Sequence, residues 1–371
     1  MIHIGTHGAA QTEDPTLSDR YRTYLRLLLT LVAATLGGVL FNWLTLPLPW
    51  MLGPIVVSTI AAVLRLPVQP PTRARPYVVV IIGVLLGSGF SPAMLGQLSN
   101  WAISLSLLAV YLSISGLLVV PYYRWVGGLD PVTAYFAGMP GGLNEMMMIG
   151  KEMGGDDRII ILSHASRIVV VVCLLALWFR VILGVDLSDR SQFGVAFVDV
   201  PLSDLTILLI CGIAGYLAGP KLRLPAPFLV GPMLFSAVVH ATGYASNPPP
   251  REVVIAAQIL LGTIMGCRFL GSAPRAIGRA LLLGVGATVI MLSVSGAFAL
   301  LLHQLFGQAL DQVLLAYAPG GLAEMSLVAL ALNADVAYVA THHLVRITFV
   351  IVAAPAVFGL MRRFWRRPDS P

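Results

Sequence analysis

The sequence predicts an all-α integral membrane protein made of two inverted-topology repeats, each with about five transmembrane helices and one re-entrant or broken segment. Three observations carry that prediction: an apolar composition poor in charge, a series of apolar runs of spanning length, and a motif set that occurs twice at nearly constant spacing. Of 371 residues, 57% are hydrophobic and 11% charged, against about 25% charged in ordinary soluble domains. The apolar content excludes a disordered chain, and three cysteines are too few for a disulfide scaffold.

A hydrocarbon core about 30 Å thick needs about 20 apolar residues per helix. Candidate spans in the first half are Leu25–Trp43, Trp50–Leu64, Tyr77–Leu95, Trp101–Tyr122 and Arg158–Leu183. In the second half they are Leu205–Ala218, Phe228–Ala241, Val253–Phe269, Ala276–Leu302 and Val339–Met361. Several are short and are expected to extend into their flanking residues. Two more runs, Pro131–Gly150 and Asp311–Leu332, are interrupted by Pro140, Gly141 and Gly142 and by Pro319, Gly320 and Gly321. Breakers at membrane depth are tolerated only where protein or a water-filled cavity satisfies the freed backbone, so these runs read as re-entrant. Met1 to about Arg22 reads as a polar tail without a fold. The first apolar run lacks a convincing signal-cleavage site and recurs later in the chain, so it reads as a structural helix. Cys173, Cys211 and Cys267 sit singly inside apolar runs, as packed thiols do.

The duplication is dense. Leu46-Pro47-x-Pro49 with Gly53-Pro54 returns as Leu224-Pro225-x-Pro227 with Gly231-Pro232, at an offset of 178. Gly83, Gly87 and Phe90 return as Gly262, Gly266 and Phe269 at 179, and Leu112-Ser113-x-Ser115-Gly116 returns as Leu292-Ser293-x-Ser295-Gly296 at 180. Pro140-Gly141-Gly142-Leu143-x-Glu145-Met146 returns as Pro319-Gly320-Gly321-Leu322-x-Glu324-Met325, and Asp156, His164 and Arg167 return as Asp335, His343 and Arg346, all at 179. The expected division is a tail at 1–23, a first repeat at 24–184, a polar connector at 185–203, a second repeat at 204–363 and a basic tail at 364–371.

Charge gives the relative direction of the copies, because cytoplasmic loops are enriched in Lys and Arg. Five crossings per unit place Arg20, Arg22, Arg26, Arg65, Arg73, Arg75, Arg124, Lys221 and Arg223 on the cytoplasmic side. Arg268, Arg275, Arg279, Arg362, Arg363, Arg366 and Arg367 join them. The far side holds Arg190 and Arg251, while Lys151, Arg158, Arg167, Arg180 and Arg346 fall in spans, at their ends or at the turn after the first broken segment. The loop before Pro47 has no cation and its counterpart has Lys221 and Arg223, as inversion demands. The net charge of +6 fits basic loops beside anionic lipid and requires no nucleic acid.

Counting from Arg158, Arg167 lies roughly 13–14 Å deep, near mid-bilayer, and Arg346 reaches a similar depth from the other side. His164 and His343 precede these arginines by one helical turn and share their faces. A charge at that depth costs about 2.5–3.5 kcal/mol on the mildest scale, so it calls for partners. Glu145 and Glu324 are the candidates, each just beyond a Gly-Gly that opens a half-helix. Two readings stay open: structural Glu145–Arg167 and Glu324–Arg346 ion pairs, or carboxylates that hold a coupling H+ or Na+. The histidines read equally as packing donors and as protonatable groups. Asp156 and Asp335 read as N-caps, Met146, Met147 and Met148 as packing, and Gly83-xxx-Gly87 and Gly262-xxx-Gly266 as close-approach faces. The copies differ at Asn144, which corresponds to Ala323, and at Ser163, which corresponds to His342, so a site made from both halves is asymmetric.

The doubled Pro-Gly-Gly-Leu-x-Glu-Met motif, each copy followed by Asp and His-x-x-Arg, resembles the signature of the bacterial AbrB membrane protein family from about Leu25 to Met361. That resemblance implies a regulator of gene expression or, by another family label, an ammonia monooxygenase, and brings no settled site residues. The residues themselves support neither label. The tails are too short for a helix-turn-helix module, and His342-His343 lacks the spacing of an oxygenase metal site. They support a secondary transporter or exporter of a small anionic or zwitterionic solute. Its candidate binding residues are Glu145, Glu324, Arg167, Arg346, His164, His343 and Asn144. No enzymatic activity, metal site or cofactor is expected, and H+ or Na+ coupling fits. The expected partners are the lipid bilayer and a small-molecule solute, with no direct nucleic acid contact and homo-oligomerisation left open. The expected location is the bacterial inner membrane, with both termini cytoplasmic; an indirectly acting membrane regulator is the alternative.

Overall fold

In lipid every backbone polar group must be satisfied within the chain, which leaves apolar runs like these the choice of helix or closed barrel. They are helices. The computed structural model describes residues 17–46, 48–91, 98–182, 184 and 194–365, and among these there are fourteen α-helices and no strand. The first seven are α1 (Leu17–Trp43), α2 (Pro49–Val63), α3 (Arg75–Ser88), α4 (Leu98–Pro121), α5 (Pro131–Gly138), α6 (Leu143–Glu152) and α7 (Asp157–Leu177). The second seven are α8 (Leu202–Lys221), α9 (Pro227–Ala241), α10 (Arg251–Gly266), α11 (Pro274–Phe306), α12 (Leu310–Tyr317), α13 (Leu322–Ala331) and α14 (Val336–Trp365). Each helix of the first set has its sequence equivalent seven places later.

Seven of the described helices, α1, α4, α7, α8, α10, α11 and α14, are long and apolar enough to cross a membrane. Their outward faces carry large apolar side chains that water would penalise, such as Leu28, Leu36, Leu209 and Ile210. The chain is a multi-pass membrane protein. Two short runs expected to lengthen into full spans do not, and in the Tyr77–Leu95 run the described helix ends at Ser88. Helices α2 and α9 have 15 residues and α3 has 14, about 21–23 Å at 1.5 Å per residue. Proline sits at the N-terminus of each, where its fixed φ starts a helix and its missing N–H costs nothing. Helix α1 already includes Leu17–Arg22, which the sequence reading left in the tail. Residues 1–16, Pro47, residues 92–95 of the third expected run, Leu183, Arg190 with most of the connector, and the basic end with Arg366 and Arg367 lie outside the described residues.

Equivalent elements make equivalent contacts, down to the backbone. The residue before α2, Leu48, and the one before α9, Ala226, are both left-handed at φ 46°, as are Thr45 and Arg223 three residues earlier. A non-glycine residue there costs of order 1–3 kcal/mol and persists only where packing dictates it. The reason lies in the following helices. A Cβ on Gly83 would stand 2.4 Å from the carbonyl oxygen of Leu229, and one on Gly87 2.4 Å from that of Met233, so α3 lies directly on α9 and runs parallel to it. Gly262 and Gly266 of α10 meet the carbonyl oxygens of Met51 and Ile55 of α2 at 2.5 Å in the same way. Small residues replace the missing hydrophobic drive between helices in lipid by letting backbones touch.

The long helices frame this centre. The equivalent helices α4 and α11 run antiparallel: Gln308, just past α11, donates to the Asn100 carbonyl near the start of α4, while Arg279, near the start of α11, donates to the Gly127 carbonyl beyond the end of α4. Helix α7 packs along α11 through Gly284 against Ser166. Helix α14 lies beside α4, with Trp101 edge-on to Tyr338 and Ser104 bonded to His342. Replacing Gly87 or Gly266 by alanine is expected to destabilise the fold by about 1–3 kcal/mol through overpacking, read as a lower unfolding temperature in detergent. Gly296→Ala, whose Cβ meets nothing within 4 Å, leaves that temperature unchanged or raises it.

Candidate functional site

Both Pro-Gly-Gly stretches break a helix inside the protein. The residue before a proline is pushed from helical to extended backbone, and Met139 (ψ 133°) and Ala318 (ψ 143°) are extended. Each stretch therefore folds as a short helix, a turn and a second short helix: α5 and α6 in the first copy, α12 and α13 in the second. At each turn one helix ends with unpaired carbonyls and the next begins with unpaired N–H groups. Water is scarce at that depth, so side chains have to supply partners.

The His-x-x-Arg motif of the following long helix supplies them for the carbonyls. His164 Nε2 bonds the Phe136 carbonyl at 2.9 Å, and Arg167 reaches the carbonyls of Ala137 and Met139 at 3.4 and 3.3 Å. In the second copy His343 Nε2 bonds the Leu315 carbonyl at 3.0 Å, and Arg346 donates to the carbonyls of Ala318 and Gly320. With Nε2 donating to a carbonyl, His164 is left with an acceptor at Nδ1, which takes the second Arg167 amino group at 3.0 Å. That network fixes the neutral tautomer. A cation at a helix C-terminus is also favoured by the helix dipole.

The glutamates serve the other end of the break. Each is the third residue of its short helix and folds back over the capping glycine. A Cβ on Gly142 would lie 2.1 Å from a Glu145 carboxylate oxygen, and one on Gly321 2.0 Å from a Glu324 oxygen. Only glycine leaves that space, which explains the second Gly of each motif. A carboxylate there faces the positive end of the helix dipole. So Arg and Glu each complement a half-helix terminus rather than one another. The Glu145–Arg167 and Glu324–Arg346 ion pairs are not formed: among the described residues the ion pairs are Lys151–Asp157 at 2.8 Å and Arg251–Glu252 at 3.7 Å. Asp156 caps α7 through the N–H groups of Arg158 and Ile159, and Asp335 accepts from the Tyr338 N–H at the start of α14. Met146 and Met325 are fully buried against Gly141 and Gly320, whereas Met148 is exposed.

Two cations that the sequence reading assigns to surface loops belong to this region. Arg268, on the turn after α10, is half-buried and within electrostatic range of Glu324, Arg75 and His164. Arg75 opens α3, on which α13 packs. Neither arginine side chain has a hydrogen bond or ion pair among the described residues. Arg268 corresponds to Gly89 in the first copy, so the duplication gave no signal for it. The next residue, Phe269, packs in one cluster with Leu162, Ala165 and, at the tip of the other hairpin, Leu143.

The sequence profile described as "Transition state regulatory protein AbrB" matches residues 50–362. The chain belongs to the AbrB family. It is 27% identical over 349 residues to YhjN of Bacillus subtilis (strain 168), covering 88% of this chain and 90% of that protein. It is also 27% identical over 334 residues to AbrB of Escherichia coli (strain K12), whose name carries the word regulator, covering 88% and 93%.

In this AbrB-family chain the two hairpins are unequally covered. Asn144 is exposed and Glu145 half-buried, whereas Leu322, Ala323 and Glu324 are all buried. A buried polar chain that no motif marks joins the second copy to Ser104 of α4. Tyr317 donates to the Ser104 carbonyl at 2.5 Å, the Ser104 hydroxyl meets His342 Nε2 at 2.8 Å, and Tyr338 donates to Gln308 at 2.9 Å. The only hint in the sequence was His342 standing where the first copy has Ser163. Among the described residues, the buried side-chain atoms without a hydrogen-bond partner include Nε of Arg167 and Arg346 and Nδ1 of His343. Arg346→Met is expected to cost about 1–3 kcal/mol for each carbonyl it leaves unsatisfied. In a double-mutant cycle with Glu324→Gln, measured by unfolding in detergent, the coupling energy is expected to stay below about 0.5 kcal/mol. A coupling of about 2 kcal/mol would mean that the two side chains pair after all.

Proposed function

We propose that this AbrB-family protein is a secondary transporter of a small anionic or zwitterionic solute, working by alternating access between two inverted-topology repeats. One observation carries the reading: two matched, broken hairpins are covered to different degrees, Glu145 and Asn144 reachable and Glu324 enclosed. Any single state of an alternating-access cycle requires that difference between pseudo-equivalent halves. The antiparallel run of α4 and α11 and the parallel pairs α3–α9 and α2–α10 support inversion. Five crossings per half reproduce every one of those directions. Arg75 and Arg268, contributed by different halves and unpaired, outweigh the single charge of Glu324 and favour an anionic ligand there.

On this reading Glu145 and Glu324 hold the coupling H+ or Na+, the solute is carried unchanged, and the protein lies in the bacterial inner membrane with both termini in the cytoplasm. A second reading, an indirectly acting regulator, rests on the description of the family and the name of the Escherichia coli relative. The two are compatible, since moving a metabolite alters whatever senses it.

Proteoliposomes test the proposal directly. Protein-dependent flux of small carboxylates or amino acids is expected, with coupling lost in Glu145→Gln and Glu324→Gln. Arg268→Gln is expected to raise the solute KM by about tenfold, the loss of one charge-assisted contact. Flux no greater than in empty liposomes across such a panel, or variants that transport as the wild type does, would sink it. Inversion has its own check. Thr45→Cys and Arg223→Cys, at equivalent turns, are expected to react with an impermeant thiol reagent from opposite sides of the membrane.

A further inference from the structure

The duplication leaves one interface open where its counterpart is closed. Between α7 and α11 the helices meet: a Cβ on Gly284 would stand 3.0 Å from that of Ser166. The equivalent pair, α14 and α4, is separated by a groove of about 810 Å³. Its walls are apolar, with Leu117 and Val120 on α4 and Phe349 and Val357 on α14. Met139, whose carbonyl Arg167 holds, also lines it, with its methyl group over Gly116. Tyr135 bridges it, donating to the Ala354 carbonyl at 2.9 Å.

One end of the groove is polar. Arg124 and Trp125 line it in the last turn of the Asn100–Val126 span, at the membrane boundary. Both are exposed, and the Arg124 side chain has no hydrogen bond or ion pair among the described residues. In the closed copy the corresponding residues are Gln304 and Leu305. The cation and the interfacial aromatic therefore occur only in the copy that has the space. Trp favours the headgroup level, and arginine at that level attracts anionic headgroups and grips phosphate through its planar fork. We infer that this groove is a binding site for one anionic phospholipid, with its acyl chains between α4 and α14 and its phosphate on Arg124. Because Met139 and Tyr135 belong to the first hairpin, the bound lipid packs against the hairpin's own support.

Delipidated protein titrated with phosphatidylglycerol or phosphatidylcholine and examined by native mass spectrometry tests this. One phosphatidylglycerol is expected to bind about five times more tightly than phosphatidylcholine, the effect of one interfacial cation. Arg124→Gln is expected to retain a lipid but lose that preference. Ala353→Trp, which fills the groove, is expected to lose the tightly held lipid, while Leu282→Trp on the exposed face of α11 keeps it. Equal binding of the two lipids to the wild type, or an undiminished preference in Arg124→Gln, overturns the proposal. So does a lipid-free dimer that Ala353→Trp converts to monomer, because the groove would then be covered by a second copy of the chain.

Discussion

A helix that stops inside a membrane leaves backbone groups that nothing around it can satisfy, and the core of this protein is arranged around that constraint. Two Pro-Gly-Gly breaks create four such ends. The His-x-x-Arg motif covers the carbonyls of α5 and α12, and the glutamates cover the starts of α6 and α13. This division of labour explains why Pro, Gly, Glu, His and Arg travel together in both copies: removing any one exposes a terminus that another residue cannot reach. It also lets opposite charges sit close to the centre without neutralising one another.

The hairpins are held where they are by an unusually close-packed middle. Helices α3 and α10 touch the backbones of α9 and α2 through glycines, so each half is completed by helices of the other. The strain at Thr45, Leu48, Arg223 and Ala226 belongs to the same bargain: the short helices must start at a fixed point to meet those glycines. Symmetry ends at the periphery. Helix α13 is enclosed and α6 is partly open, and α7–α11 is packed where α4–α14 is split by a groove. Identical motifs thus sit in unequal surroundings.

Much of this was legible in the sequence because its physics is local or repetitive. Apolar runs demand helices, Pro-Gly-Gly demands a break, Asp156 demands a cap, and the doubled motifs expose the duplication. Three things were not legible. Arg–Glu proximity in sequence suggested ion pairs, but helix ends compete for the same charges and win by geometry. Arg268 looked like a loop cation because a turn and a buried turn have the same composition. The lengths of α2 and α9 were overestimated because hydropathy does not register where a neighbouring backbone requires a helix to begin.

The sequence by itself therefore determined the membrane class, the two copies, the sites of interruption and the residues grouped around them, because each follows from what a short stretch of chain can satisfy on its own. Tertiary structure alone decided which partner each charge takes, which hairpin is enclosed, and that Arg75 and Arg268 lie within electrostatic range of Glu324. Those outcomes depend on surfaces that only the folded chain brings together, from 26 positions apart for Arg346 and Gly320 to more than two hundred for Arg75 and Glu324, and no local rule of composition or spacing carries that information.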